Sequence, residues 1–522
     1  MTVLTPLTRL DDALGRVTMY RLVTVVLAVL AAIAFGYSAT GVLDAAIFPL
    51  GRMALALGVL LTASVAASRL FGLLFRVRPH TESAVITALL MWFLYWPPGT
   101  ASSYLWLAGA AVLANASKYL LAVRGRHLFN PAAVGPLLTV VIQQLLGLDA
   151  ADRLFTTWWV AAEALLPFVL VGALLVLRRT HRVALGAVFV AVGGALIFTS
   201  LTVLGTEPLA AAEQTFSSYP LVFLAGFMLS EPLTLPPRHR QQLAAAALAG
   251  VVVSLPVLWP ALTDQPFTLW VFTSTTELSL IAANLVGFAC GQRRGITLKS
   301  TGSRKIAEEI WEFRFTPAHP LRFVPGQYLE LHLPHPGADR RGTRRIFSIS
   351  SPPESAEVTI ALRVPPEPSS FKRALTACEP GTEIRATGVS GDFVLPRSGR
   401  VLLVAGGIGI TPFVSQVGTR HDDVDLVLVY GVPDASDVAY RDELVAARIP
   451  VVLVAPEPPE DLPPHWTHVA GTRIRAEDLA DVIGDLAERR AHLSGPPAMV
   501  HAVRASLHGH VAGTRSDYFS GY

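Results

Sequence analysis

The sequence predicts a multi-domain protein: a polytopic all-α membrane domain of about ten spans, then an antiparallel β-barrel, then a parallel α/β domain. Three observations predict it. The 522-residue chain is 52% hydrophobic with a mean hydropathy of +0.47, too apolar for an ordinary soluble protein. The apolar residues are concentrated in long uncharged runs over 18–291, whereas 296–522 has a soluble balance of charge, Pro and Gly. Within that second half the pattern changes again near residue 398, from short alternating runs to apolar strands interleaved with helical stretches. The expected parts are a cytoplasmic segment 1–17, a transmembrane domain 18–291, a β-barrel 296–398 and an α/β domain 400–522.

Composition removes several functions. A net charge of +3 gives no global basic patch for nucleic acid. Cys290 and Cys378 are the two cysteines, too few for an iron–sulfur cluster, which takes about four thiolates, and no disulfide framework. No metal site is expected. The N-terminus lacks a small-residue cleavage site, so the first apolar run is expected to be a retained helix.

A helix crosses the hydrocarbon core with about 20 apolar residues. By that measure spans are expected near 20–39, 53–73, 82–97, 101–121, 131–148, 157–177, 183–204, 219–234, 241–261 and 268–290. The loops carry the orientation. Arg76 and Arg78, Arg124 and Arg126, then Arg178, Arg179 and Arg182, Arg238 and Arg240, and Arg293 and Arg294 follow the even-numbered spans, while the opposite loops hold little beyond Arg52 and Arg153. Basic loops stay cytoplasmic, so both termini and the whole soluble half are expected on that side.

Two stretches depart from lipid-facing helix: "ASKYLLAVRGRHLFNPAAVG" (116–135) and "GFMLSEPLTLPPRHR" (226–240). Each is read either as a helix end with basic anchors or as irregular backbone lining a cavity. Glu277, inside the last expected span, is either part of a proton or ion path or a protonated group bonded to neighbouring Ser and Thr. Haem would need axial ligands within the spans; His80, His127, His181 and His239 all fall in or beside loops. These stretches resemble the flavin-carrying membrane subunits of the sodium-pumping NADH:quinone reductase and of the Rnf complex, through the Asn130-Pro131-Ala132 region and "GFMLSEPLTLPP". The resemblance implies FMN or another flavin in the membrane domain, with Asn130 at its site. That family attaches FMN to a Thr on the outer side. In "LGTEPLAAA" (204–212) Glu207 stands at that place, and Thr206 serves only with a shifted register; an ordinary polar loop is the competing reading.

In the barrel, "RRIFSIS" brings a cation, a flat ring and a hydroxyl together. Alternation puts Arg345 and Phe347 on one strand face, with Ile346 between them and Ser348 at the strand end. A flavin needs a cation for its pyrophosphate, a ring beside its own and a partner near N5; an edge strand with a surface Arg is the plain alternative. "FVPGQYLEL" precedes it, and Ser369 and Ser370 open a helix able to hold a phosphate. Further on, "VLLVAGGIGITPF" (401–413) reads as a buried strand running into Gly406, Gly407 and Gly409, then Thr411 as helix N-cap and Pro412 in the first turn. "LSGPPAM" (493–499) ends a later strand and is expected beside that turn.

Together these stretches resemble the ferredoxin–NADP reductase superfamily over about 296–522. The matches are Pro325-Gly326-Gln327-Tyr328, Arg345-Ile346-Phe347-Ser348, Gly391-Asp392-Phe393, the 406–412 turn, Ser494-Gly495-Pro496-Pro497 and the aromatic tail "DYFSGY". The resemblance implies FAD in the barrel, held by Gln327, Tyr328, Arg345, Ile346, Phe347, Ser348, Arg363, Ser369 and Ser370. It implies NADH or NADPH on Gly406, Gly407, Gly409, Thr411, Pro412, Gly495, Pro496 and Pro497. Ser348 and Ser494 are the expected catalytic residues, Ser494 replacing that family's Cys near the nicotinamide. Asp434 and Asp437 after the second strand favour NADH, since a 2′-phosphate calls for Arg or Lys there. The expected function is a membrane-bound flavin oxidoreductase passing electrons from NAD(P)H through FAD to a flavin, quinone, redox protein or outside acceptor. Two alternatives stand beside it: a redox-driven ion-translocating subunit with Glu277 or Glu231 in the path, and an FAD reductase whose membrane domain only anchors it in the lipid bilayer.

Overall fold

The computed structural model describes residues 14, 17–77, 79, 81–123, 126–149, 152–272, 274–291, 295–339 and 342–518. Most of the expected segment 1–17, the loop residues His80, Arg78, Arg124, Arg293 and Arg294, and tail residues 519–522 lie outside the described residues. The chain divides into two compact units, 1–294 and 295–522, at the junction where hydropathy falls.

The first unit is helical. Its helices are α1 (Met19–Thr40), α2 (Leu50–Leu74), α3 (Thr81–Leu94), α4 (Ala101–Leu120), α5 (Pro131–Leu145), α6 (Leu166–Arg179), α7 (Val183–Val203), α8 (Pro208–Ser217), α9 (His239–Thr263) and α10 (Thr276–Ala289). Every expected span coincides with helical structure, yet among the described residues only α1, α2, α7 and α9 are both long and apolar enough to cross a membrane. By length and composition together these four are the candidate spans among the described residues, and the expected count of about ten is not confirmed. α3 and α10 have 14 residues each, a rise of about 21 Å against the roughly 30 Å of a hydrocarbon core.

The shortening has local causes. Over 157–177, Trp158 takes a left-handed conformation (φ 52°), and 3₁₀ turns at Trp159–Ala161 and Glu163–Leu165 precede α6. Over 219–234, a single turn Leu221–Phe223 widens into a π-turn Leu224–Met228, after which the backbone is irregular. Its carbonyls are met by side chains from elsewhere. Arg126 donates to Leu233 O (2.7 Å) and Pro232 O (3.1 Å), Arg182 to Ser230 O (2.9 Å), and Asn130 to Met228 O (3.2 Å). Irregular backbone in an apolar bundle persists only when such partners exist.

The second unit opens with β1 (Ile296–Lys305), β2 (Ile310–Pro317), β3 (Tyr328–His332), β4 (Arg344–Ser348), β5 (Val358–Arg363), α11 (Ser370–Thr376) and β6 (Glu383–Ala386). The strands form an antiparallel sheet in the order β4-β3-β6-β1-β2-β5. Its inner face carries Phe313, Phe315, Leu329, Leu331 and Ile360, clustered with Phe371 of α11. The sheet curls until the end of β4 meets β5, where Ser350 N–H donates to Thr359 O at 2.9 Å. That is the expected small barrel.

Then come β7 (Gly399–Gly406), α12 (Thr411–Val417), β8 (Val424–Gly431), α13 (Arg441–Ala446), β9 (Val451–Ala455), β10 (Trp466–Ala470), α14 (Ala476–Ala480), β11 (Arg490–Gly495), α15 (Pro497–Ser506) and β12 (Gly513–Tyr518). They build a parallel sheet in the order β10-β9-β8-β7-β11-β12. Along β7, Val401, Leu403 and Ala405 face one apolar cluster and Leu402 and Val404 the other. A central parallel strand covered on both faces needs such an unbroken apolar run. Leu403→Ala empties a fully buried position and is expected to cost about 2–5 kcal/mol. The urea midpoint for unfolding of 295–522, followed by limited proteolysis of the full chain, measures it.

Candidate functional site

β7 and β11 are neighbours, and their register sets Ala405 beside Ser494. Both strands therefore end together at the carboxyl edge of the sheet, where open α/β sheets bind ligands. The 3₁₀ turn Gly407–Ile410 follows β7 and runs straight into α12. Gly407 has φ +51°, and a Cβ on Gly409 would stand 2.3 Å from Ser494 O, so the two turns pack backbone to backbone. Gly495, with φ +156°, ends β11, and Pro496 and Pro497 start α15. One expectation is corrected. Thr411 is not the N-cap: the 3₁₀ turn leaves no extended residue to cap, and the Thr411 hydroxyl donates to Ile408 O (3.1 Å).

On the barrel side, Arg345 is 3% exposed. It donates to Gly342 O (3.0 Å), Arg344 O (2.7 Å) and Asp339 Oδ1 (3.3 Å), and lies over the Phe371 ring at 5.2 Å. Phe347 also meets Phe371, with centroids 5.9 Å apart, so Arg345 and Phe347 share a face. Ile346 is turned to the opposite face and is 42% exposed; it does not join the group. Arg363 is exposed and held by Glu309 (2.6 Å). Gln327 braces the barrel, accepting from Val324 N–H and donating to Gly391 O, both at 2.9 Å. A Cβ on Gly391 would strike the Tyr328 ring at 2.9 Å, so Tyr328 lies on that glycine. Ser369 caps α11, and Ser370 Oγ accepts from Asp339 N–H at 2.9 Å. Ser370, Asp339 and Arg345 thus form one chain of contacts, and Asp339 carried no signal in the sequence.

Two hydroxyls stand out. Ser348 Oγ and Ser494 Oγ are buried without a hydrogen-bond partner. A buried hydroxyl left unbonded is costly, and a polar ligand edge at each would relieve that cost. These orphans, the cation–ring pair at Arg345 and Phe371, and the glycine cradle at 406–409 fit a flavin in the barrel and a dinucleotide on the sheet. The turn Gly407–Ile410 lies alongside barrel strand β5, so the two halves of the site adjoin. Asp434 accepts from Ser436 N–H and Oγ, both at 2.8 Å, and those bonds hold its carboxyl below the usual carboxylate range. A charged carboxylate therefore follows β8, as read from the sequence.

The candidates in the first unit are engaged otherwise. Asn130 caps α5 by accepting from Ala132 N–H (2.9 Å), donates to Met228 O, and gives its own N–H to Asn284 Oδ1 (2.8 Å). A cavity does open there, lined by Tyr20, Ser83, Asn130, Phe227 and Glu231, and Glu231 pairs with His127 at 2.9 Å. Thr206 closes the C-terminus of α7 through its N–H to Leu201 O, and Glu207 caps α8; the expected loop is a helix junction. Glu277 is buried and accepts from Trp158 Nε1 at 3.0 Å.

The site's geometry can be set beside known proteins. The family model of the oxidoreductase NAD-binding domain matches residues 403–505. A ferredoxin–NAD(P)⁺ reductase component from Ralstonia is 29% identical over 218 residues, covering 39% of this chain and 61% of that protein. The NAD-binding domain and barrel are similar to the electron transfer component of toluate 1,2-dioxygenase from Pseudomonas putida, 30% identical over 224 residues, covering 41% of this chain and 63% of that protein. An NADPH oxidoreductase of Mycobacterium tuberculosis is 28% identical over 200 residues, covering 37% of this chain and 48% of its own. Among solved structures, a cytochrome P450 reductase of Amycolatopsis matches with a TM-score of 0.36 and 23% identity, covering 44% of this chain and 71% of that one. The chain spans 36% to 63% of the length of the first of these curated relatives.

Gly409→Ala must push the Ser494–Gly495 backbone aside. We expect nucleotide affinity to fall at least about tenfold, or roughly 1.4 kcal/mol, with flavin content unchanged; calorimetric titration reads the first and absorbance the second. His492, its ring tilted against Phe393 with centroids 5.3 Å apart, has its pKa pushed down to about 4 by burial and by Arg515 and Arg490. The unfolded chain then binds a proton the folded chain refuses. Stability is therefore lost as pH falls from about 6.5 to about 4, on the order of 3 kcal/mol in all. His492→Phe should flatten that part of the stability–pH curve.

Proposed function

We propose that the chain is a membrane-embedded, NAD(P)H-dependent flavoprotein oxidoreductase. It takes electrons from NADH through FAD and hands them to an acceptor at the membrane, a quinone or a redox protein. The observation that carries this reading is the pair of buried, unpartnered hydroxyls, Ser348 at the barrel strand end and Ser494 at the sheet edge, within one unit. The relatives' names support the electron-transfer reading: an electron transfer component, a ferredoxin–NAD(P)⁺ reductase component and an oxidoreductase. Four long apolar helices support the bilayer location. The arginines at Arg76, Arg126, Arg178, Arg182 and Arg238 support a cytoplasmic reducing half. The proposal includes no second flavin in the first unit, where the Asn130 amide caps α5 and bonds Met228 O and Glu207 caps α8.

When bound, FAD would supply the redox chemistry, accepting a hydride equivalent from the dihydronicotinamide and passing its electrons on to the acceptor. The chain's residues do the rest. Arg345 offers its guanidinium to a pyrophosphate, exchanging part of its bond to Asp339. Phe347 and Tyr328 would flank the flavin ring, and the unpartnered Ser348 hydroxyl would donate to it. On the sheet, the N–H groups of Gly407–Ile410 meet the nucleotide pyrophosphate, and the 406–409 glycines let it approach the backbone. Ser494, at the end of β11 beside that turn, offers its hydroxyl to the nicotinamide. Asp434 repels a 2′-phosphate.

Purified full-length protein should carry FAD and reduce ferricyanide with NADH at a kcat/KM roughly tenfold above that with NADPH. Protein without flavin, or inert to both nucleotides, would overturn the proposal. Ser348→Ala removes a hydroxyl that has no protein partner, so the fold should lose nothing measurable, while flavin reduction slows on the order of a hundredfold.

A further inference from the structure

The short helix α12 faces two ways. Its first turn continues the glycine turn of the sheet, and its last turn is bolted to the barrel. Ser415 Oγ accepts from Gly326 N–H at 3.2 Å, and Gln416 Nε2 donates to Phe393 O at 2.6 Å. Ser415 and Gln416 are at most 1% exposed. Their partners belong to 325–328 and 391–393, the barrel loops that Gln327 ties together through Gly391 O. Gly326 sits at φ +92°, and a Cβ there would lie 2.0 Å from Phe393 O and 2.1 Å from Gln416 Nε2. The joint therefore admits only glycine. A second bolt lies at the other barrel motif. Tyr440 is 4% exposed, and its hydroxyl donates to Ser350 Oγ at 3.0 Å, two residues beyond Ser348; Ser350 Oγ shares a further bond of 2.7 Å with Thr359 Oγ1. Arg304 also bridges Glu312 and Glu443, but half exposed it adds little.

Each of the two barrel segments that would flank a flavin is thus pinned to the lobe that would hold the nucleotide. We propose that Gln416 and Tyr440 are positioning residues for hydride transfer: they fix the distance and angle between the two bound rings without touching either. The proposal rests on the functional reading above. Hydride transfer is steeply sensitive to such placement, and a 1 Å displacement can cost about a hundredfold.

The test uses full-length, flavin-loaded protein with Tyr440→Phe and Gln416→Met, which keep bulk and remove one donor each. Anaerobic stopped-flow measures the limiting rate of flavin reduction, the NADH dissociation constant and the isotope effect with C4-deuterated NADH. We expect flavin content and NADH affinity within about twofold of wild type, a limiting rate lowered about tenfold per bound flavin, and a larger isotope effect. A merely structural role would instead lower flavin content or the melting temperature and leave the rate per flavin unchanged, which overturns the positioning role. If wild type is reduced at full speed and both variants match it, the positioning role alone falls. If flavin-loaded wild type is reduced by neither nucleotide, the functional reading falls and the positioning role falls with it.

Discussion

The space beside Gly409 is the constraint on which the C-terminal unit turns. Ser494 O stands 2.3 Å from where a Cβ would be, so the two strand ends can close on each other only through bare backbone. The parallel ladder makes this meeting inevitable once the register sets Ala405 against Ser494. The ladder in turn holds because β7 is apolar on both faces and divides its side chains between two clusters. Burial, register, glycine and the two unbonded serines form one causal line. The chemistry at the edge is available because the core beneath it leaves the backbone no other arrangement.

Much of this unit was legible in the residues. The switch from alternating to continuous apolar runs gave the barrel and the parallel sheet, since each pattern suits one burial geometry. The glycine turn and the Ser-Gly-Pro-Pro segment were placed together correctly because both terminate strands. What the residues hid was side-chain employment. Arg363 is paired with Glu309, both ends of the Gln327 amide are bonded, and Ile346 takes the face opposite Arg345 and Phe347, contacts that no residue pattern announces. Thr411 looked like a cap because the 3₁₀ turn before it was not foreseeable. Gln416 and Tyr440 left no trace, for their partners lie 23 and 90 residues away.

The first unit shows the opposite balance. Apolar runs located the long helices but not α8, and hydropathy is blind to backbone hydrogen bonding, so it could not see that Trp158 turns left-handed or that 224–228 widens into a π-turn. Both departures leave shorter helices than a run of apolar letters implies. Tryptophans and phenylalanines fill the space around them: Trp92 and Trp159 meet edge to face at 5.0 Å, and Phe93 meets Phe223 at 5.8 Å. Such rings contribute both area and orientation.

Arg126 illustrates how one residue type serves two grammars. In the sequence it is one positive charge of a basic loop; in the fold its Nε and Nη2 reach the carbonyls of Leu233 and Pro232. Lysine would preserve the first meaning and lose the second, because a single ammonium has no planar fork to span two acceptors. Charge and chain architecture are therefore separable here: a lysine in that place would keep the positive charge and leave the irregular segment with a carbonyl unanswered.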